Sequence, residues 1–142
     1  MPLVIDSSVA LEWLLGQARA EEAGRAFKTH DDITVHPLFW LEIVHVLAKR
    51  IRRGVLTPSQ RDIAWDGLNR VRLATLAGDV AQSLLPQIMR LAEHHRLSAY
   101  DAAHLATALH VGGHFATLDA ALALATRQAG GSILDLGEAG PP

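Results

Sequence analysis

The chain has 142 residues, balances 13 Lys and Arg against 15 Asp and Glu, and is 49% hydrophobic but only 5% aromatic. That length suits one domain with its own core, and the composition excludes a disordered, collagen-like or disulfide-scaffolded chain. Cysteine is absent, which removes thiolate metal sites and a cysteine nucleophile, and a formal charge of −2 gives no reason by itself to expect a nucleic-acid partner.

Ala and Leu supply 45 residues, so the core should be aliphatic and largely helical. Leu3-Val4-Ile5 reads as a short buried strand that stops at Asp6. Ser7 or Ser8 can cap a first helix carrying Val9, Leu11, Trp13, Leu14 and Leu15, which Gly16 ends. A more polar helix is expected from about Ala18 to Lys28, and a second strand at Ile33-Thr34-Val35. Pro37 suits the first turn of a helix from Leu38 to about Arg53, closed by Gly54. Thr57-Pro58 is a cap followed by a first-turn proline.

Val71 to Leu76 alternates as a third strand, and Asp79 is placed to cap a helical stretch to about Arg96 that Pro86 should kink or split. Ser98 caps the next helix, whose apolar positions run through Ala102, Leu105, Ala106 and Leu109 until Gly112-Gly113. His114 to Thr117 is a fourth strand, Asp119 begins another helix, and Ser132-Ile133-Leu134 is a last edge strand. Strands alternating with helices argue for a parallel sheet covered on both faces, one domain over 1–137, with 138–142 a fraying tail. The N-terminal MPLVID has no basic region and meets an acid at once, so no signal peptide is expected. The long uncharged run before Asp119 is too polar for a bilayer, and a cytoplasmic protein without membrane contact is expected.

In such sheets functional groups gather beyond the carboxyl ends of the strands. Four of the acids interrupt or abut apolar sequence: Asp6 ends the first strand, Glu42 lies within Leu38–Val44, Asp101 opens an Ala-rich helix, and Asp119 follows the fourth strand. Each has a local explanation, since Asp6 and Asp119 can cap helices, Asp101 can complement a helix dipole, and Glu42 can emerge on a solvated stripe. One joint explanation covers all four. Carboxylates converging on a sheet edge repel unless a cation intervenes, and an oxygen-only set without cysteine favours Mg²⁺ or Mn²⁺ over Zn²⁺. Such a site has the equipment for phosphodiester hydrolysis.

VIDSSVAL, the lone Glu42, LSAYDAAHLATAL around Asp101 and FATLD ending at Asp119 together resemble a PIN domain, and more narrowly the VapC-type toxin ribonucleases of bacterial toxin–antitoxin pairs. The resemblance spans nearly the whole chain. Its most specific part is the Ser-Ala-Tyr-Asp-Ala-Ala block followed by Thr117-Leu118-Asp119. It implies a three-layer α/β/α fold with a mainly parallel sheet of four to five strands. It also implies an Mg²⁺- or Mn²⁺-dependent endoribonuclease in which Asp6, Asp101 and Asp119 ligate metal and Glu42 completes the catalytic set. Ser7 and Thr117 would orient Asp6 and Asp119 through hydroxyl hydrogen bonds, and the products would carry 5′-phosphate and 3′-hydroxyl ends.

Three further features extend this reading. His104 lies three residues from Asp101 and His45 three from Glu42, so each shares a helical face with an acid, although the family pattern requires neither. Helical spacing aligns Glu42, His45, Lys49 and Arg52, which makes Lys49 and Arg52 candidates for an RNA phosphate track or simply dipole-complementing charges at a helix end. Trp40, Val44, Leu47 and Ile51 form one apolar stripe and Phe39, Ile43 and Val46 another; two stripes suit an internal helix or a surface for a homodimer and a cognate antitoxin. The alternatives are another Mg²⁺-dependent nuclease or phosphohydrolase, or a non-catalytic PIN-like binding module. A haloacid-dehalogenase-like phosphatase lacks its second Asp, because Ser8 stands there. A phosphoacceptor receiver domain is disfavoured by the order of the acids and the absence of a late lysine.

Overall fold

A computed structural model describes residues 1–136 of the chain. In chain order it contains β1 (Leu3–Ile5), α1 (Ser7–Leu14), α2 (Ala20–Thr29), β2 (Ile33–Val35), α3 (Leu38–Arg52) and α4 (Pro58–Asn69). There follow β3 (Leu73–Thr75), α5 (Gly78–Ser83), α6 (Leu85–His95), α7 (Ala99–Val111), β4 (His114–Ala116), α8 (Ala120–Gln128) and β5 (Ser132–Ile133). The tail expected at 138–142 lies outside the described residues, as does residue 137.

The strands form one parallel sheet in the order β3-β2-β1-β4-β5. β1 is therefore central, which explains why Leu3, Val4 and Ile5 are all fully buried. Alternate residues face opposite layers, as the two-residue period of a strand demands. Leu3 and Ile5 join Val9, Ala10, Phe39, Ile43 and Leu47 under α1 and α3, whereas Val4 and Phe115 meet Leu105, Ala108 and Leu122 of α7 and α8. The result is the expected α/β/α layering, with five strands.

The order reverses at β1: β2 lies on one side and β4 on the other. Parallel sheets open a crevice beyond the strand carboxyl ends at such a reversal. The residues that follow β1 and β4 are Asp6 and Thr117-Leu118-Asp119. Gly113 permits the pairing that sets this register, because a Cβ there would lie 2.4 Å from the Pro2 carbonyl, which accepts from His114 N–H.

Local capping differs from expectation in two places. Asp6, not Ser7 or Ser8, caps α1, its carboxylate accepting from Val9 N–H. Asp79 falls inside the first turn of α5, accepting from the N–H of its neighbour Val80, while Ala77 is the cap. Pro86 splits the stretch cleanly, standing in the first turn of α6 where its missing N–H costs nothing. Thr57 forms a reciprocal capping box with Gln60, and Ser98 and Asp119 cap α7 and α8.

Candidate active site

Asp6 is 4% exposed and is held from three directions. Ser8 Oγ donates to Oδ1 at 2.6 Å, Val9 N–H donates to the same oxygen at 3.3 Å, and Thr117 Oγ1 donates to Oδ2 at 2.6 Å. Burial pushes its pKa above the ordinary carboxylate value, against lowering by these hydrogen bonds and by His104. Oδ2 accepts this one protein hydrogen bond and keeps a lone-pair direction for another partner.

Thr117 joins two acids. While donating to Asp6, its hydroxyl accepts from Asp119 N–H at 3.1 Å, and Asp119 Oδ1 caps α8 by accepting from Leu122 N–H. The hydroxyl that sequence reasoning assigned to Ser7 is instead supplied by Ser8, which also accepts from Leu118 N–H. Asp6 spends its own side chain on capping α1, and that turn brings Ser8 back over the carboxylate. Ser7 lines a neighbouring hollow with Leu38, Leu41, Glu42, His45 and Tyr100.

Asp101 enters from the first turn of α7, whose N-terminus Ser98 caps by accepting from Asp101 N–H. Its pKa is raised, first by burial and next by the charge of Asp119, with a smaller contribution from Glu42; Ser98 and His104 oppose these. Asp101 on α7 therefore lies within electrostatic reach of Asp119 at the start of α8 and of Glu42 on α3. Among the described residues, no three His, Cys, Asp or Glu side chains are drawn together tightly enough to ligate an ion. The carboxylates border one region without forming a closed cage.

Two histidines complete the region. His104, 1% exposed on α7, places Nε2 2.5 Å from Glu42 Oε1 on α3. A carboxylate only accepts, so Nε2 carries the hydrogen. His104 Nδ1 is buried and has no hydrogen-bond partner among the described residues. His36, at the end of β2, stands edge-on to His104, and its Nδ1 accepts from Leu38 N–H at the start of α3. Burial lowers the His36 pKa, aided by His104 and opposed by Glu42. The helical face shared by Asp101 and His104 signalled His104; nothing local signalled its bond to Glu42, 62 residues away, or the role of His36.

The remaining candidates divide between two surfaces. His45 shares the Glu42 hollow, Lys49 is exposed, and Arg52 lines a groove between α3 and α4. That groove is floored by Val44, Leu47, Ala48, Ile51 and Trp65 and rimmed by Arg52, Arg61 and Asp62. The two apolar stripes of α3 are redistributed accordingly: Phe39, Ile43 and Leu47 are buried, while Leu41 and Val44 are exposed. No helix among the described residues is long and apolar enough to cross a membrane.

Comparison with known proteins agrees with this architecture. Ribonuclease VapC3 of Pyrobaculum aerophilum is 29% identical over 127 residues, covering 87% of this chain and 93% of that protein. The crystal structure of PAE2754 from Pyrobaculum aerophilum superposes with a TM-score of 0.68 at 19% identity, over 94% of this chain and 83% of that one. A toxin–antitoxin complex from Klebsiella pneumoniae superposes with a TM-score of 0.56 at 19% identity, over 82% of this chain and 86% of that one. Residues 3–127 match the PIN domain. With that match over most of its length, the chain belongs to the PIN-domain family.

Proposed function

We propose that the protein is a VapC-type toxin, an endoribonuclease that hydrolyses RNA phosphodiester bonds at Asp6, Glu42, Asp101 and Asp119 with Mg²⁺ or Mn²⁺. The observation that carries this reading is the electrostatic coupling of Asp101 to Asp119 and Glu42, beside an Asp6 already linked to Asp119 through Thr117. The donor set fits a hard cation: its oxygens are carboxylates, and Asp101 is penalised by its negative neighbours. Asp6, Asp101 and Asp119 are the residues to hold the ion, which when bound supplies Lewis-acid polarisation of the phosphate and activation of water.

The chain's own groups supply the rest. Ser8 and Thr117 hold Asp6, and Thr117 also fixes the backbone at Asp119. In this reading Glu42 orients the attacking water and receives its proton. As the water oxygen bonds to phosphorus, the bond to the 3′ oxygen breaks and that oxygen takes a proton from solvent, leaving 5′-phosphate and 3′-hydroxyl ends. Lys49 and Arg52 provide positive charge for the RNA backbone. The exposed apolar face of α3 and the α3–α4 groove support a homodimer and a cognate antitoxin as partners, with the charged rim adding selectivity.

The test is cleavage of a mixed-sequence RNA oligonucleotide by metal-stripped protein with and without added Mn²⁺. Cleavage restored by Mn²⁺ in the wild type and absent from Asp101→Asn is expected. Equal cleavage by both proteins, or none by the wild type across a panel of RNA hairpins and single strands, would overturn the assignment.

A further inference from the structure

Glu42 lies within α3, away from both helix ends. It caps no helix, follows no strand, and its side chain is 27% exposed on α3. A glutamate has three side-chain torsions and would ordinarily sample several directions at such a position. Among the described residues, the carboxylate is restrained by the bond from His104 across the interface of α3 and α7.

His104 is built for restraint. It lies among Ala102, Ala103, Leu105 and Ala106, all buried, where a leucine would pack without a polar cost. Its neighbour His36 meets it edge-on at 6.3 Å between ring centroids, and burial leaves the ring little freedom to turn. One nitrogen is spent on Glu42, and the other has no hydrogen-bond partner among the described residues. A buried imidazole bonded to Glu42, edge-on to His36 and within charge reach of Asp6 and Asp101 is poorly explained by packing alone.

We propose that His104 is a positioning residue that holds the Glu42 carboxylate toward Asp101 and Asp119, setting the turnover rate of the site without binding RNA. The proposal rests on the ribonuclease reading above. Its action is geometric: the donor at Nε2 selects one Glu42 rotamer, and the buried ring cannot follow if Glu42 swings away. Outer partners that orient reacting carboxylates commonly matter nearly as much as the carboxylates themselves.

The experiment compares His104→Leu, which keeps bulk but removes the donor, with His104→Gln, whose amide can reach Glu42. Steady-state cleavage of a fluorescent RNA oligonucleotide with Mn²⁺ should show kcat reduced at least about tenfold in His104→Leu, with KM changed less than about twofold. His104→Gln should recover a substantial part of that loss. Equal loss in the two variants, loss confined to KM, or no loss would overturn the proposal. If His104→Leu does not fold, His104→Asn, too short to reach Glu42, replaces it with the same expectation; unfolding of both would assign His104 to the core alone and also overturn it. The Glu42 carboxylate ¹³C resonance provides a readout independent of cleavage. It should move in the donor-free variant and stay near its wild-type position in His104→Gln, so an inactive wild type would refute the ribonuclease reading while this contact was still judged.

Discussion

Replacing Thr117 by valine removes one hydroxyl at nearly constant volume and breaks two bonds, the donation to Asp6 Oδ2 at 2.6 Å and the acceptance from Asp119 N–H at 3.1 Å. The second is inexpensive, because Asp119 is exposed and water can replace the threonine. The first is not, because Asp6 is 4% exposed and its carboxylate, when ionised, loses one of three protein donors. A hydrogen bond to a charged group contributes about 1.5–3 kcal/mol, and interpolating between domain sizes gives roughly 3–5 °C of melting temperature per kcal/mol for a chain of this length. Metal-free Thr117→Val is therefore expected to melt about 5–15 °C below wild type at a pH where the Asp6 carboxylate is ionised.

The same reasoning fixes how this loss depends on Asp6. In an Asp6→Asn background the partner is neutral, and the hydroxyl contributes only about 1 kcal/mol. The two substitutions should therefore be non-additive by roughly 1 kcal/mol or more in a denaturant-unfolding cycle. An unchanged melting temperature in the single variant would refute the argument. So would an equal loss in the two backgrounds, since it would show that Thr117 acts through packing and not through the Asp6 charge.

Asp6 and Asp101 both have raised carboxyl pKa values, chiefly from burial, so the folded state binds their protons more tightly than the unfolded state does. Their contribution to stability is present below the ordinary carboxylate value and is lost as pH rises through the raised values. Metal-free Asp101→Asn, and Asp6→Asn where the amide keeps the hydroxyl partners, should consequently match or exceed wild-type melting temperature at pH 7, with the difference shrinking toward pH 4; a large drop at pH 7 would identify these acids as purely structural. For RNA contact, Lys49→Gln and Arg52→Gln in the Asp101→Asn background should each weaken binding and flatten the log–log salt dependence by about 0.7 per charge, measured by fluorescence anisotropy. An unaltered salt slope would remove these residues from the RNA track.

Much of the fold was legible because its signals are local. Leu3–Ile5 stops at an acid, Ile33–Val35 precedes a proline-led helix, and Thr57, Ser98 and Asp119 lie within three residues of the amides they cap. Asp6 was legible as a site candidate but not as the α1 cap, since two serines beside it compete on propensity and only the path of the chain from β1 decides among them. Ser8 and Ser7 were indistinguishable for the same reason: the turn after Asp6 determines which hydroxyl returns to the carboxylate. The α3 periodicity admitted two apolar stripes, and the sheet selected Phe39, Ile43 and Leu47 for burial. The bond between His104 and Glu42 joins α7 to α3; no pattern within either helix encodes that distance.

The central claim is that these four acids form one divalent-cation site. Calorimetric titration of Mn²⁺ into the metal-stripped wild-type protein and the Asp101→Asn and Asp119→Asn variants tests it most directly, without requiring the natural RNA. The wild type should bind Mn²⁺ saturably, and each variant should bind at least about tenfold more weakly while retaining its fold. Saturable binding of equal affinity in all three proteins, or no binding by the folded wild type, would contradict it.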